Sequence, residues 1–176
     1  MFPKRDAFRF QVLPSDRQLW AIGMVTVTWS HLEGLLQVCA QSLAGEGSED
    51  ARLYEATRSF KLRLEILERL SSRLRQPYRS SLEHLLVDIR NAQQQRDRIV
   101  HSSWGGDAVR TDGPQATGAF NHFKPHPAFE WTLDFGGIKA VAVRIDAITR
   151  QLFELIIDGT TGPTLLSDAL KAKMAK

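Results

Sequence analysis

The chain has 176 residues, 43% of them hydrophobic and 24% charged, with a formal net charge of +3. These values are ordinary for one soluble globular domain. No stretch approaches the roughly 20 consecutive apolar residues that cross a bilayer, and the N-terminus lacks the apolar run of a signal peptide. We therefore expect no membrane-spanning helix and a single cytoplasmic domain over 1–176.

The first predicted helix follows Pro14, with Ser15 as its N-cap. The glycine-containing segment 45–48 ends it, and apolar residues recur along it at steps of three and four: Val25, Trp29, Leu32, Leu36, Cys39 and Leu43. Cys39 is the only cysteine, so it cannot form an internal disulfide. We expect it to be an inert packed thiol in a reducing compartment.

Two further helices are predicted before residue 102. The second runs over about 49–74, and its apolar side carries Leu53, Phe60, Leu64, Leu67, Leu70 and Leu74. Gln76-Pro77 breaks it, because proline cannot continue a helix. The third runs from about 78 to 100 or 101, with an apolar stripe at Leu82, Leu85, Ile89 and Ala92.

The segment 105–137 is rich in glycine and proline and predicts an insertion. Apolar and polar residues alternate over 129–135, which predicts a half-buried strand, and 119–124 could pair with it as a β-hairpin. A fourth helix is predicted to follow Gly137, because 138–155 keep a regular spacing of three and four, and a short helix could close the chain. The expected fold is mainly α, an up-and-down bundle of four to five helices with a β-hairpin insertion between the third and fourth long helices.

Arg96 occupies an unusual position on the third helix. It lies seven residues after Ile89, so it falls on nearly the same side of the helix as the apolar stripe. Burying an unpaired guanidinium is costly. Arg96 therefore either has a dedicated acidic partner inside the bundle or lines a cleft that binds an anion. Asp97 next to it and His101 five residues later favour the cleft, because a histidine can move a proton and an arginine can hold a phosphate at neutral pH.

The stretch Arg96-x4-His101, with a polar residue directly after the arginine, resembles the R-x(4–6)-H motif of HEPN domains (higher eukaryotes and prokaryotes nucleotide-binding). Ser102-Ser103-Trp104-Gly105 is similar to the tail that follows the histidine in many bacterial members, and 29–33 is similar to an aromatic-plus-Glu signature of the first helix. The resemblance covers roughly residues 15–157. It implies a dimeric helical bundle in which two copies of the motif form one cleft.

The resemblance also implies a metal-independent endoribonuclease of toxin–antitoxin or phage-defence systems, leaving 2′,3′-cyclic phosphate and 5′-hydroxyl ends. In that role His101 is the general acid or base, Arg96 the phosphate clamp and Asp97 the orienting residue. Arg90 and Arg98 are candidate contacts to the RNA backbone. Glu33 is a candidate carboxylate partner of Arg96, with a solvent-facing boundary position as the alternative. The expected partners are RNA, a second copy of the chain and an antitoxin or other protein.

A non-catalytic helical dimer that binds nucleic acid or a protein is the rival hypothesis. Residues 52–98 hold eleven basic and six acidic residues, a net charge of +5, which would attract phosphates or would simply form a solvated face with ordinary ion pairs. We expect no metal and no cofactor: His122 and His126 flank a short loop sequence, but no cysteine or acidic cluster completes a metal site.

Overall fold

The computed structural model describes residues 16–101, 103–105, 115–117 and 134–160. These residues form five helices and two three-residue strands: α1 (Asp16–Ala44), α2 (Glu49–Ala56), α3 (Phe60–Ser71), α4 (Tyr78–His101), β1 (Ser103–Gly105), β2 (Gln115–Thr117) and α5 (Phe135–Thr160). The fold is a helical bundle, as predicted. None of the helices described is long and apolar enough to cross a membrane.

The β-hairpin insertion predicted from 119–124 and 129–135 is wrong as part of the fold. Phe135, the last residue of the predicted strand, is the first residue of α5. In the part of the chain that the structure describes, the three-residue segments β1 and β2 are the only strands; they pair antiparallel and lie away from the predicted ones, and the other elements are helices. Residues 119–124 and 129–133 themselves lie outside the described residues.

The start of α5 shows why alternation misled the prediction. The Asp134 carboxylate accepts a hydrogen bond from the Gly137 backbone N–H at 2.7 Å, and the Asp134 carbonyl accepts one from Ile138 at 3.1 Å. Asp134 therefore caps the helix, which satisfies N–H groups that a helix start leaves without partners. The helix begins two residues before Gly137 rather than after it.

The second predicted helix is two helices, α2 and α3, separated by residues 57–59. Thr57 and Ser59 have extended backbone dihedrals, and the Ser59 hydroxyl accepts a hydrogen bond from the Leu62 N–H at the start of α3. Serine and threonine side chains compete with helical hydrogen bonding in this way. The break changes the helical phase, so Leu53, predicted on the same apolar side as Leu64, is 47% exposed.

α1 and α4 keep their predicted bounds. α1 ends at Ala44 just before Gly45, and α4 covers Tyr78–His101 as expected. Gly45 and Gly47 have φ values of 87° and 72°, a region that suits glycine because it has no Cβ. The predicted α4 stripe is confirmed, since Leu82, Leu85, Ile89 and Ala92 are all buried.

The chain divides into two compact units, each with its own core. Unit 1 comprises 1–29 and 92–145, and unit 2 comprises 30–91 and 146–176. The described core of unit 1 contains Ala21, Val25, Trp29, Ala92, Ile99, Ile138, Val141, Ala142 and Ile145. The largest fully buried side chains of unit 2 are Leu32, Leu36, Leu64, Leu67, Leu70, Leu82, Leu86, Ile89 and Leu152. The expectation of a single domain over 1–176 stays a prediction.

Candidate functional site

The candidate site lies in unit 1, near the C-terminal end of α4. Arg96 follows the apolar stripe of this helix, and its side chain is 25% exposed, so most of the guanidinium and its stem are buried. This burial agrees with the position predicted from helical periodicity. Three turns of apolar residues before it and Ile99 after it hold this part of α4 in the bundle.

Arg96 has a carboxylate partner, and that partner is its neighbour in sequence. Arg96 Nη1 donates a hydrogen bond to Asp97 Oδ1 at 2.8 Å, and the Asp97 side chain is 42% exposed. Because this carboxylate remains partly in water, the pair is not a sealed core ion pair. The predicted role of Asp97 as an orienting residue fits this contact.

A buried tryptophan lies against the same guanidinium. The Trp29 side chain belongs to α1 and is 4% exposed, and Arg96 Cζ lies 5.8 Å from its ring centroid. This distance falls within the range of a cation–π interaction. Sequence analysis placed Trp29 on the apolar stripe of α1 but did not predict its contact with Arg96.

The three guanidinium nitrogens of Arg96 differ in their surroundings. Nη1 is bound to Asp97, whereas Nε is buried and has no hydrogen-bond partner among residues 16–101, 103–105, 115–117 and 134–160. Within the described part of the chain, no hydrogen bond uses Nη2, and this atom is not among the buried unsatisfied ones. Arg96 therefore keeps donor capacity for an anion, since a guanidinium carries five N–H donors.

His101 is the last residue of α4, and its side chain is exposed. The C-terminal carbonyls of a helix favour a positive charge at this position. Five residues separate it from Arg96, which corresponds to about 7.5 Å along the helix and about 140° around it. One copy of the motif therefore does not direct both groups to the same phosphate while α4 stays helical.

The remaining predicted site residues have no described contact with Arg96 or His101. Arg90, in unit 2, forms a salt bridge with Glu68. Glu33 is also in unit 2 and is half-buried, and its assignment as the partner of Arg96 stays a prediction. Arg98 follows the site on α4 and is exposed. The positions of Arg90 and Arg98 as RNA contacts likewise stay predictions.

Much of the basic charge over 52–98 is paired inside the molecule. Salt bridges join Lys61 to Glu65, Arg69 and Arg73 to Asp50, Arg79 to Glu83, and Arg90 to Glu68. Arg52, Arg58 and Arg75 are exposed, and no ion pair of theirs appears among the described residues. Among the described residues of unit 2, these three are the exposed arginines without a salt bridge.

Unit 2 also contains an open groove of about 380 Å³ that sequence analysis did not identify. Its walls come from the start of α4 and the end of α5, and they carry the carboxylates of Asp88, Glu154 and Asp158. Negative charge of this density repels a polyanion. The groove is therefore a poor place for RNA, and unit 1 remains the candidate site.

No family model matches the chain, and searches of the curated proteins and of the solved structures return no significant match.

Proposed function

We propose that this protein cleaves RNA without a metal ion, using Arg96 and His101 in a dimer. The observation that carries the proposal is that the last turns of one helix carry two suitable groups. These are a mostly buried guanidinium that still has N–H donors available and an exposed histidine. The resemblance to HEPN domains supports the same chemistry. We also propose that this ribonuclease acts in a toxin–antitoxin or phage-defence system.

The proposed reaction uses the RNA 2′-hydroxyl as the nucleophile. His101 takes the proton from this hydroxyl as the oxygen attacks phosphorus, and the bond from phosphorus to the 5′-oxygen breaks. The leaving oxygen receives a proton from the His101 of a second copy, so the products are a 2′,3′-cyclic phosphate and a 5′-hydroxyl. Arg96 Nη2 donates to a phosphate oxygen and stabilises the negative charge that develops there.

The angular separation of Arg96 and His101 supports the dimer. Since one helix turns the two side chains about 140° apart, a second copy of α4 supplies the missing group in a composite cleft. Light scattering at micromolar concentration is expected to give twice the mass of one chain, 19.8 kDa. A monomer under the conditions in which RNA is cleaved would contradict the composite cleft.

The decisive variant is His101→Ala. Loss of a general acid or base typically lowers a rate by a hundredfold to ten-thousandfold, whereas removal of an exposed side chain changes stability by less than about 0.5 kcal/mol. His84→Ala is the matched control, because His84 is also exposed on α4 but lies in unit 2. Cleavage of a labelled RNA is measured for both variants, with and without EDTA.

We expect wild type and His84→Ala to cut at the same rate, with and without EDTA, and His101→Ala to be inactive but folded. An equal rate for His101→Ala and wild type would overturn the catalytic role of His101. Absence of cleavage by wild type on structured and unstructured RNA would favour the rival function, a helical dimer that only binds nucleic acid or a protein. The contact between Arg96 and Asp97 favours that rival, because it already satisfies part of the guanidinium.

A further inference from the structure

Trp29 and Arg96 meet although they lie on different helices and far apart in the sequence. Both belong to unit 1, and Arg96 Cζ is 5.8 Å from the indole centroid. The indole is almost completely buried, with 4% exposure, whereas the guanidinium reaches the surface with 25% of its side chain. The ring therefore forms the inner wall of the candidate site, and Arg96 lies between it and solvent.

The ring also explains how Arg96 Nε is tolerated in the interior. Among the described residues that buried nitrogen has no hydrogen-bond acceptor, which is ordinarily destabilising, and more so for a charged group. The electron-rich face of a tryptophan attracts a guanidinium and offsets part of this cost. A leucine or valine at position 29 would bury the same charge against a surface that has no such attraction.

Trp29 and Asp97 together restrict the orientation of the guanidinium. Asp97 holds Nη1 through a hydrogen bond of 2.8 Å, and Arg96 Cζ lies 5.8 Å from the Trp29 ring centroid. A guanidinium that is hydrogen-bonded at one nitrogen and packed beside a buried ring has little freedom to rotate. The side chain thus presents Nη2 in one direction before any ligand arrives, which lowers the entropy lost when Nη2 engages the transition state.

We propose that Trp29 is a positioning residue for the phosphate-binding arginine, beyond its part in the apolar core. The inference rests on the proposed ribonuclease function. Trp29 does not touch RNA, and it acts through Arg96 by setting the direction of Nη2. A displacement of a binding group by about 1 Å can lower a catalytic rate by a hundredfold.

Three variants separate positioning from simple stability. Trp29→Leu removes the aromatic face, and Trp29→Phe keeps a smaller one. Val25→Ala is the matched control, because Val25 is fully buried one turn earlier on α1 and belongs to the same unit. Each is assayed at a temperature where circular dichroism shows it to be fully folded.

For Trp29→Leu we expect kcat to fall about tenfold to a hundredfold with KM nearly unchanged. Trp29→Phe is expected to recover most of the rate, and Val25→Ala is expected to match wild type. A Trp29→Leu variant that cuts as fast as Val25→Ala would overturn the inference. So would a loss of rate that Trp29→Phe does not recover at all.

A second measurement tests the contact between Trp29 and Arg96 and does not require RNA cleavage. In a nitrogen–proton NMR spectrum, the Arg96 Nε–H signal, identified by its loss in Arg96→Lys, should be shifted by the ring current of Trp29. We expect Trp29→Leu to move this signal into the ordinary arginine range, while Trp20→Leu, at the partly exposed tryptophan of α1, leaves it in place. If wild type cuts no RNA, the proposed function fails while this signal still tests the contact. An unchanged signal in Trp29→Leu contradicts the positioning role even if wild type is active.

Discussion

At the scale of single residues, burial determines which groups are chemically available. The Cys39 thiol is buried, and burial raises its pKa from 9.0 to about 12. The neighbouring core residue Tyr54 responds in the same direction: burial raises the pKa of its hydroxyl, and the charge of Arg63 lowers it only in part. Cys39 is therefore a packed apolar group, as the sequence predicted, and not a nucleophile.

The Cys39 thiol makes the stability of the protein depend on alkaline pH. The unfolded thiol ionises near pH 9, whereas the folded one stays neutral to about pH 12, so the folded state binds more protons between these values. The contribution of Cys39 to the free energy of unfolding should therefore be constant below pH 9 and fall above it, by at most about 1.4 kcal/mol per pH unit. Urea denaturation from pH 7 to pH 10 measures this slope, to which Tyr54, with an ordinary pKa of 10.0, adds its own only near the upper end of the range.

Cys39→Ala supplies the comparison, because it removes the thiol and leaves an apolar residue. The smaller side chain lowers the free energy of unfolding by the same amount at every pH. We therefore compare how steeply the free energy of unfolding changes with pH in the two proteins, and not its absolute values. We expect the variant to lose less stability between pH 8 and pH 10 than wild type does. Parallel curves would contradict the assignment of this slope to Cys39.

At the scale of helices, one carboxylate connects three helix ends in unit 2. Asp50, in the first turn of α2, binds Arg69 near the end of α3 and Arg73 just beyond it. Arg73 Nη1 also donates to the carbonyls of Leu43 and Ala44 at the end of α1, both at 3.0 Å. These bonds satisfy carbonyl groups that a helix end leaves without partners.

Asp50→Asn tests this connection. The change keeps the shape of the side chain but removes the charge that binds two arginines and favours the N-terminal end of α2. Because both arginines are about half exposed, we expect a loss of about 1–2 kcal/mol in the free energy of unfolding, measured with urea. The control, Glu65→Gln, breaks an exposed pair of 3.8 Å with Lys61 and should change stability by less than about 0.5 kcal/mol. Equal effects of the two variants would show that Asp50 is an ordinary surface charge.

At the scale of the whole molecule, charge is distributed unevenly between paired and exposed groups. The net charge of +5 over 52–98 exceeds that of the entire chain, and five of the ten arginines in this region are held in salt bridges. Neighbouring carboxylates therefore already neutralise part of this charge, and that part is less able to replace counterions on a nucleic acid. RNA affinity should depend on salt, but less steeply than eleven basic residues would suggest.

The triple variant Arg52→Ala, Arg58→Ala, Arg75→Ala measures how much these three exposed arginines contribute to the salt dependence of RNA binding. For single-stranded RNA each phosphate contact contributes about 0.7 to the slope of log affinity against log salt, so we expect the slope to fall by up to about 2. Arg150→Ala is the control, since Arg150 is exposed, paired with Asp146 and outside this region. Fluorescence anisotropy between 50 and 200 mM salt gives the slopes. An unchanged slope in the triple variant would place the RNA contacts elsewhere, and a flat wild-type response would exclude an electrostatic RNA interface.

The sequence alone determined the features that depend on local periodicity. The bounds of α4, the buried stripe of α1 and the inward position of Arg96 follow from residues three and four apart, because a helix places them on one side whatever surrounds it. The break at 57–59 and the start of α5 at Phe135 were missed, since the hydrogen bonds of Ser59 and Asp134 outweigh the apolar pattern there.

Only the tertiary structure decided what each charged group contacts. Side chains from different helices meet through packing that no local pattern records, so Trp29 against Arg96 and Asp50 between Arg69 and Arg73 appear only in three dimensions. The sequence identified Arg96 as a charge in an apolar place. The fold supplied the aromatic surface and the carboxylate that make its burial tolerable, because the free energy of a buried charge depends on its neighbours in space.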